Sequence, residues 1–76
     1  AVERVAAFLA DMFERQGGLM LIELPMSRVD IADYLGLTVE TVSRVFSRLK
    51  QKGILRLPHL RSVEIVKLDT LQRLAS

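Results

Sequence analysis

The apolar positions along the chain change their spacing several times, and each change marks a predicted element. In residues 2–16, "VERVAAFLADMFERQ", apolar side chains recur at helical spacing, which is typical of a helix with one buried face. That stripe consists of Val5, Phe8, Leu9, Met12 and Phe13. Gly17 and Gly18 follow directly and end the predicted helix.

A short strand and a second helix are predicted next. The run "LMLIELP" is apolar almost throughout until Pro25 stops it, so it predicts a brief strand. Ser27 then precedes Asp30 by three residues, close to the capping-box arrangement that pairs the free N–H groups of a first helical turn. The helix that begins there ends at Gly36 and carries the apolar residues Val29, Ile31, Ala32 and Leu35.

The segment 36–53, "GLTVETVSRVFSRLKQKG", predicts a third helix over about 39–52. Thr38 is the expected N-cap, and Glu40 lies in the first turn, where a carboxylate suits the positive end of the helix dipole. Gly53 follows the last turn, and Lys50 and Lys52 suit the negative end. The buried stripe is expected to consist of Val42, Val45, Phe46 and Leu49.

The rest of the chain predicts a hairpin and a last short helix. Two strand-like runs, "ILRL" and "SVEIV", are separated by residues 58–61. Asp69 is the expected N-cap of a helix that contains Leu71 and Leu74. The predicted order is therefore helix, strand, helix, turn, helix, two-stranded hairpin and helix.

The short connection "GLT" prevents the second and third predicted helices from lying antiparallel, so they must cross at a large angle, as in a helix-turn-helix. Ala32 is small enough for a close crossing, and Gly36 permits the tight turn. The apolar seam of this crossing is expected from Ile31, Leu35, Leu37, Val42 and Val45. With the hairpin that follows, the predicted fold class is mainly α with a small β part. It is a single winged helix-turn-helix domain over residues 1–76, with a three-helix core plus a β-hairpin wing.

Composition excludes several classes of function. The 76 residues contain no cysteine and one histidine, which argues against disulfides, thiolate metal sites and histidine-based catalysis. Asp30 and Asp33 have no accompanying nucleophile or base, so no enzyme is predicted. No apolar run approaches the length of about 18 residues that a bilayer requires, and no signal-peptide pattern is present, so no membrane partner is expected.

Because the chain begins with alanine and enters a helical pattern at once, we interpret it as a segment of a longer protein.

The net charge of +2 is unevenly distributed. Residues 28–61 hold seven Arg or Lys against three Asp or Glu, a local net charge of +4. Residues 1–27 hold two Arg against four Asp or Glu, a net charge of −2, and residues 62–76 are neutral. A local positive excess attracts polyanions such as nucleic acid, so the middle of the chain is the expected contact region.

The polar face of the third predicted helix carries side chains suited to DNA base edges. Glu40, Ser43 and Arg44 lie one turn apart, opposite the apolar stripe. Arg44 can donate to guanine O6 and N7, Glu40 can accept from cytosine N4, and Ser43 can contact a neighbouring base or methyl group. Alternatively, Glu40 and Arg44 form an exposed ion pair worth about 0.3–0.5 kcal/mol. The helix-turn-helix context favours base contact in the major groove.

Phosphate contacts are expected from flanking hydroxyl and guanidinium groups, which position a protein on DNA without distinguishing its sequence. The candidates are Ser27, Arg28, Thr38, Thr41, Ser47 and Arg48. Ser27 and Thr38 are also helix caps, and capping alone accounts for both. At the wing, His59 and Arg61 are candidates for contact with the DNA backbone, although His59 is as readily an ordinary exposed loop histidine.

Residues 19–65 resemble the DNA-binding region of the Crp/Fnr superfamily of bacterial transcription regulators. The stretch that carries the resemblance is "MSRVDIADYLGLTVETVSRVFSRLKQKGIL". Within it, Glu40, Ser43 and Arg44 form the E-x-x-S-R pattern that is similar to the Fnr and FixK branches. In the cyclic-AMP receptor branch a glycine usually stands at the position of Ser43.

The resemblance implies a longer, cytoplasmic homodimer with an N-terminal sensor domain and a dimer helix outside this chain. Such dimers bind two-fold symmetric duplex DNA, and the Fnr and FixK branches favour TTGA-like half-sites. Arg44 would then contact the guanine, Glu40 a cytosine and Ser43 a thymine. RNA polymerase is a further expected partner. No cofactor is expected in this domain, because the cysteines that hold the iron–sulfur cluster of Fnr proper are absent, and the effector of the parent protein is not implied.

The predicted function is sequence-specific binding of duplex DNA, with residues of about 39–52 as the recognition helix. The alternative is a winged helix used for protein–protein interaction. Modules of that kind tend to carry an acidic or apolar recognition face, whereas this face lies in the region with a net charge of +4.

Overall fold

The computed structural model describes all residues, 1–76, as four helices and a three-stranded antiparallel sheet. The elements are α1 (Val2–Arg15), β1 (Leu21–Glu23), α2 (Arg28–Leu35), α3 (Val39–Gln51), β2 (Leu55–His59), β3 (Ser62–Ile65) and α4 (Leu68–Ala75). This order confirms the predicted winged helix-turn-helix. None of the helices has the length and apolar character needed to cross a lipid bilayer.

The apolar stripes of the helices and the inner face of the sheet meet in one core. Its largest fully buried side chains include Phe46, Leu9, Ile22, Ile31, Leu49, Leu55 and Leu71. Helix α1 packs against both α3 and α4. Because Leu71 of α4 has no exposed surface, the last helix belongs to the core, which therefore contains four helices where the sequence predicted three.

The junction of α2 and α3 is built as the sequence predicts. Ala32 is buried where the two helices pack together. Gly36 ends α2 in the left-handed conformation, with φ at 70°, a region that glycine enters without steric cost. The N–H of Leu37 then donates to the carbonyl of Ala32 at 2.9 Å, which closes the turn. Val29, an apolar residue of α2 that is not part of the predicted seam, lies exposed.

The sheet has the strand order β1-β3-β2, so β1 extends the hairpin as a third strand. Ile22 pairs with Val63 of β3, and both side chains are buried. The wing strand β2 runs on through Pro58 and His59, which the sequence pattern predicts as part of the connection. Its register shifts between Arg56 and His59. A proline has no N–H to donate, and it is tolerated here because β2 is an edge strand with an irregular register.

The start of α4 corrects one prediction. Its N-cap is Lys67, which makes no side-chain capping bond, and Asp69 lies inside the first turn. The N–H groups of Val66 and Lys67 both donate to the carbonyl of Ile54, at 2.8 Å and 3.2 Å. This tether holds the backbone directly after β3, so the helix begins before Asp69 can cap it. The Asp69 carboxylate still lies at the favourable, positive end of the helix dipole.

Candidate nucleic-acid interface

Helix α3 presents the three predicted base-contacting side chains on one exposed face. Glu40, Ser43 and Arg44 are all solvent-exposed, whereas the opposite stripe, from Val42 to Leu49, is buried in the core. The ion pairs of the chain are Arg15–Asp11 and Arg56–Glu64, so the alternative Glu40–Arg44 pair does not form. Both side chains therefore keep their hydrogen-bonding groups free for an external partner. Their contact with bases stays a prediction.

The N-terminus of α3 is capped by Thr38, as predicted. The Thr38 hydroxyl oxygen accepts the N–H of Thr41 at 3.1 Å, and the same hydroxyl group lies 2.9 Å from the Thr41 hydroxyl oxygen. The first intrahelical bond of the backbone runs from Val42 N–H to the Thr38 carbonyl. The N–H groups of Val39 and Glu40 precede that bond, and unpaired groups at this end of a helix suit an anion.

The Thr38 cap gives a direct test of this local structure. Thr38→Ala is expected to lower the free energy of unfolding by about 1 kcal/mol, because the Thr41 N–H loses its acceptor. Ser47→Ala on the same helix is the matched control, since the Ser47 side chain is exposed and makes no hydrogen bond. Urea unfolding followed by circular dichroism measures both variants. Equal stabilities for the two would contradict the capping role.

The N-terminus of α2 brings Ser27 and Arg28 together. Ser27 caps the helix, accepting the N–H of Asp30 at 3.3 Å, and its hydroxyl donates to the Asp30 carboxylate at 3.2 Å. The guanidinium carbon of Arg28 lies 4.1 Å from the centre of the Phe46 ring, on α3. The Nη1 atom of Arg28 is buried and has no hydrogen-bond partner. Desolvation by this burial lowers the pKa of Arg28 from its ordinary value.

The contact between Arg28 and Phe46 is not predicted by the sequence. The helical spacing predicts only that Phe46 belongs to the buried stripe of α3, and the residue is indeed 1% exposed. Its second role depends on the packing of α2 against α3, which brings together two residues far apart in the chain. The spacing of residues along a single helix gives no information about such a contact between two helices. The one available sign is that an aromatic residue stands in a buried stripe whose other members, Val42, Val45 and Leu49, are aliphatic.

The remaining phosphate candidates lie further along α3. Ser47 and Arg48 are exposed, and Thr41 is half-buried. Arg48 shares a shallow groove with Thr41 and Arg44, and the groove is closed on its other side by Ala1 and Val2 at the start of the chain. Two arginines on successive turns make this groove positive, and neither has an acidic partner.

The wing is attached to the segment that leads into α2. The N–H of Leu24 donates to the carbonyl of Arg61 at 2.6 Å, and the Ser62 hydroxyl donates to the Glu23 carboxylate at 3.0 Å. The turn itself consists of Leu60 and Arg61 and contains no left-handed residue. Because Leu24 precedes the cap Ser27 by only three positions, the structure places the wing tip near the N-terminus of α2.

The tip of the wing is fully open to solvent. His59 and Arg61, the two wing candidates, are exposed, and their contact with DNA stays a prediction. Leu60 between them is 88% exposed and is the most exposed of the large apolar side chains. Leu60 is not among the predicted site residues, because an isolated leucine in a turn carries no recognisable signal.

Comparison with known proteins places this geometry in a family. Residues 3–74 match the model of the Crp-like helix-turn-helix domain. The nitrogen fixation regulation protein FixK of Rhizobium meliloti is 55% identical over 76 residues, which are 100% of this chain and 36% of that protein. The FixK protein of Azorhizobium caulinodans is 44% identical, with 100% of this chain and 33% of that protein covered. The chain thus spans about a third of the length of these relatives.

Comparison with solved structures supports the same family. The structure of FixK2 from Bradyrhizobium japonicum matches with a TM-score of 0.92 at 45% identity, covering 99% of this chain and 38% of that one. The CO-dependent transcription factor CooA from Carboxydothermus hydrogenoformans matches with a TM-score of 0.90 at 28% identity, covering 99% and 36%. This chain therefore belongs to the Crp-like helix-turn-helix family, as a winged helix-turn-helix DNA-binding domain of the FixK-like branch of the Crp/Fnr transcription regulators.

Proposed function

We propose that this domain binds a TTGA-like half-site in duplex DNA, with α3 in the major groove. The observation that carries the proposal is the exposed face of α3, on which Glu40, Ser43 and Arg44 stand side by side without partners in the protein. A recognition helix contacts base edges through such residues near its N-terminus. The buried stripe of α3 holds this face at a fixed orientation to the rest of the domain.

Each of these side chains has a distinct role in the proposal. Arg44 donates two hydrogen bonds to O6 and N7 of the guanine, the commonest specific contact in the major groove. Glu40 accepts from N4 of a cytosine, and Ser43 contacts a thymine. Neither charged side chain has to break an ion pair within the protein before it meets a base.

The phosphate contacts surround this face. Ser27 and Arg28 lie at the N-terminus of α2, and Thr38 and Thr41 at the N-terminus of α3, where free N–H groups favour an anion. Ser47 and Arg48 extend the contact along α3, and His59 and Arg61 extend it at the wing. Support comes from the net charge of +4 over residues 28–61 and from the hydrogen bonds that attach the wing to Glu23 and Leu24.

Fluorescence anisotropy tests the proposal with a labelled duplex that carries two TTGA half-sites in two-fold symmetry. We expect tighter binding than to a scrambled duplex of the same composition, and an affinity that falls steeply with salt because counterions are displaced from the phosphates. Equal affinity for both duplexes would contradict sequence-specific binding. An absence of DNA binding together with salt-independent affinity for a protein would support the protein-binding alternative, which the family membership does not favour.

Arg28→Ala is expected to weaken binding to every duplex by a similar factor. It should also reduce the slope of log affinity against log salt by about 1, because one phosphate contact is lost. Arg73→Ala is the matched control: it removes the same charge from α4, where the side chain is exposed and has no ion-pair partner. An unchanged salt slope in Arg28→Ala would remove Arg28 from the phosphate contacts.

The intact regulator, in this proposal, is a cytoplasmic homodimer that carries a sensor domain and a dimer helix in addition to this domain. Two domains bound to one symmetric site gain avidity, since the second half-site is then bound at high effective concentration. The role is non-enzymatic, and RNA polymerase is the proposed partner of the DNA-bound dimer. Support comes from the relatives, which are named nitrogen fixation regulation proteins and of which this chain covers about a third.

A further inference from the structure

The contact between Arg28 and Phe46 joins two parts of the DNA-binding surface. Arg28 is the first residue of α2, directly after its cap. Phe46 lies on α3, on the buried stripe that backs the exposed face of that helix. The guanidinium carbon stands 4.1 Å above the ring centre, within the distance of about 6 Å at which a cation is attracted to an aromatic face.

In the structure the Arg28 guanidinium has the Phe46 ring beside it and no polar partner. Arg28 forms no ion pair, and its buried Nη1 has no hydrogen-bond partner in the protein. The nearest carboxylate in sequence, that of Asp30, accepts instead from the Ser27 hydroxyl. With no polar group to hold Arg28, the Phe46 face is the contact that orients its planar head.

A guanidinium held in this way is prepared for a phosphate. A free arginine side chain has several rotatable bonds, and ordering it on binding costs conformational entropy. Stacking on a ring that is itself 1% exposed removes much of that freedom before DNA arrives. The donors on the unburied side of the guanidinium then remain available, since an arginine carries five N–H groups in a fixed plane.

We propose that Phe46 is a positioning residue for DNA binding, which holds Arg28 in the orientation that meets a backbone phosphate and sets this contact in register with the base-contacting face of α3. The inference rests on the proposed function, because it names the residue that acts through a phosphate-contacting arginine. Phe46 itself does not touch DNA. A phenylalanine that merely fills the core would instead affect binding through the stability of the domain alone.

A double-mutant cycle separates these two roles. Phe46→Leu keeps an apolar side chain in the core and removes the ring, and Arg28→Gln removes the charge that the ring orients. Anisotropy with the two-fold symmetric TTGA duplex gives the affinity of the wild type, both single variants and the double variant. We expect Phe46→Leu to weaken binding roughly twofold to tenfold when Arg28 is present, and to have no effect in the Arg28→Gln background. An equal loss in both backgrounds would overturn the proposal.

Phe8→Leu is the matched control for a general loosening of the core. Phe8 is the other phenylalanine of the core with less than a tenth of its surface exposed, and its ring pairs with Tyr34. Circular dichroism and urea unfolding identify the concentration range in which every variant is folded. Phe8→Leu is expected to lower stability without changing the DNA affinity of the folded protein. A loss of affinity equal to that of Phe46→Leu would overturn the proposal.

Arg28→Lys gives a second test that leaves the core unchanged. Lysine keeps the positive charge and loses the planar head that stacks on Phe46. We expect its affinity to fall most of the way toward that of Arg28→Gln, and full wild-type affinity would overturn the inference. If the wild type itself shows no preference for the TTGA duplex and no salt dependence, the proposed function has failed. If it shows both and the cycle is additive, only the role of Phe46 has failed.

Discussion

Arg44→Ala is expected to weaken binding to a TTGA-type duplex by about 1–3 kcal/mol and to remove the preference for guanine at its position. Arg44 is exposed and has no ion-pair partner in the domain. Its loss therefore leaves the fold intact and removes two donors from the major groove. Without Arg44, the guanine O6 and N7 are hydrogen-bonded only to water. A duplex with another base at that position is then bound with nearly the same affinity.

Competition experiments with four duplexes, one for each base pair at the guanine position, measure this effect. The wild type should bind the four duplexes with different affinities, and Arg44→Ala should bind them with similar affinities. Arg48→Ala is the informative comparison, because Arg48 lies one turn further along the same exposed face and is proposed to contact phosphate. It should weaken all four duplexes by a similar factor. If Arg44→Ala behaved in the same way, the base-contacting role would be wrong.

Leu71→Ala is expected to lower the free energy of unfolding by about 2–5 kcal/mol, because a fully buried leucine leaves a cavity when truncated. A domain of this size has a total stability of roughly 5–15 kcal/mol, so a large part of it depends on this side chain. Leu71 belongs to α4, which packs against α1 at the opposite end of the sequence. The variant thus tests whether the last helix is an essential part of the core.

Urea unfolding measures the effect, and Leu60→Ala provides the control. Leu60 is the same residue type at the tip of the wing, 88% exposed, and its truncation should change the stability by less than about 0.5 kcal/mol. Similar stabilities for the two variants would mean that α4 contributes little to the core. A selective loss in Leu71→Ala would show that the winged domain requires its C-terminal helix.

The helices were predictable because their signals are local. Ser27 and Thr38 cap α2 and α3 through bonds to residues three positions away, and Gly36 and Gly53 adopt the left-handed conformation just after helix ends. Each of these features involves a few neighbouring residues, so the sequence reports it directly. The exposed face of α3 followed from the same helical spacing, and the structure confirms its exposure.

The features that sequence reasoning missed involve distant residues. The strand pairing of Ile22 with Val63 depends on how the whole chain folds back. Asp69 has the chemistry of an N-cap, but the tether from Lys67 to Ile54 starts α4 earlier. The stacking of Arg28 on Phe46 likewise needs the packing of two helices. Local preference decides an outcome only where no tertiary contact overrides it.

Because α1 packs against α4 and β1 pairs with β3, the order of synthesis affects when this domain can fold. A ribosome releases the N-terminus first, so α1 and β1 emerge long before α4 and β3, the elements on which they pack. Closing such a long loop costs entropy before its contacts are gained. The domain therefore completes its core only once α4 has left the ribosome. Until that moment α1 and β1 lack the elements on which they pack, and the support that α1 gives to α3 is incomplete.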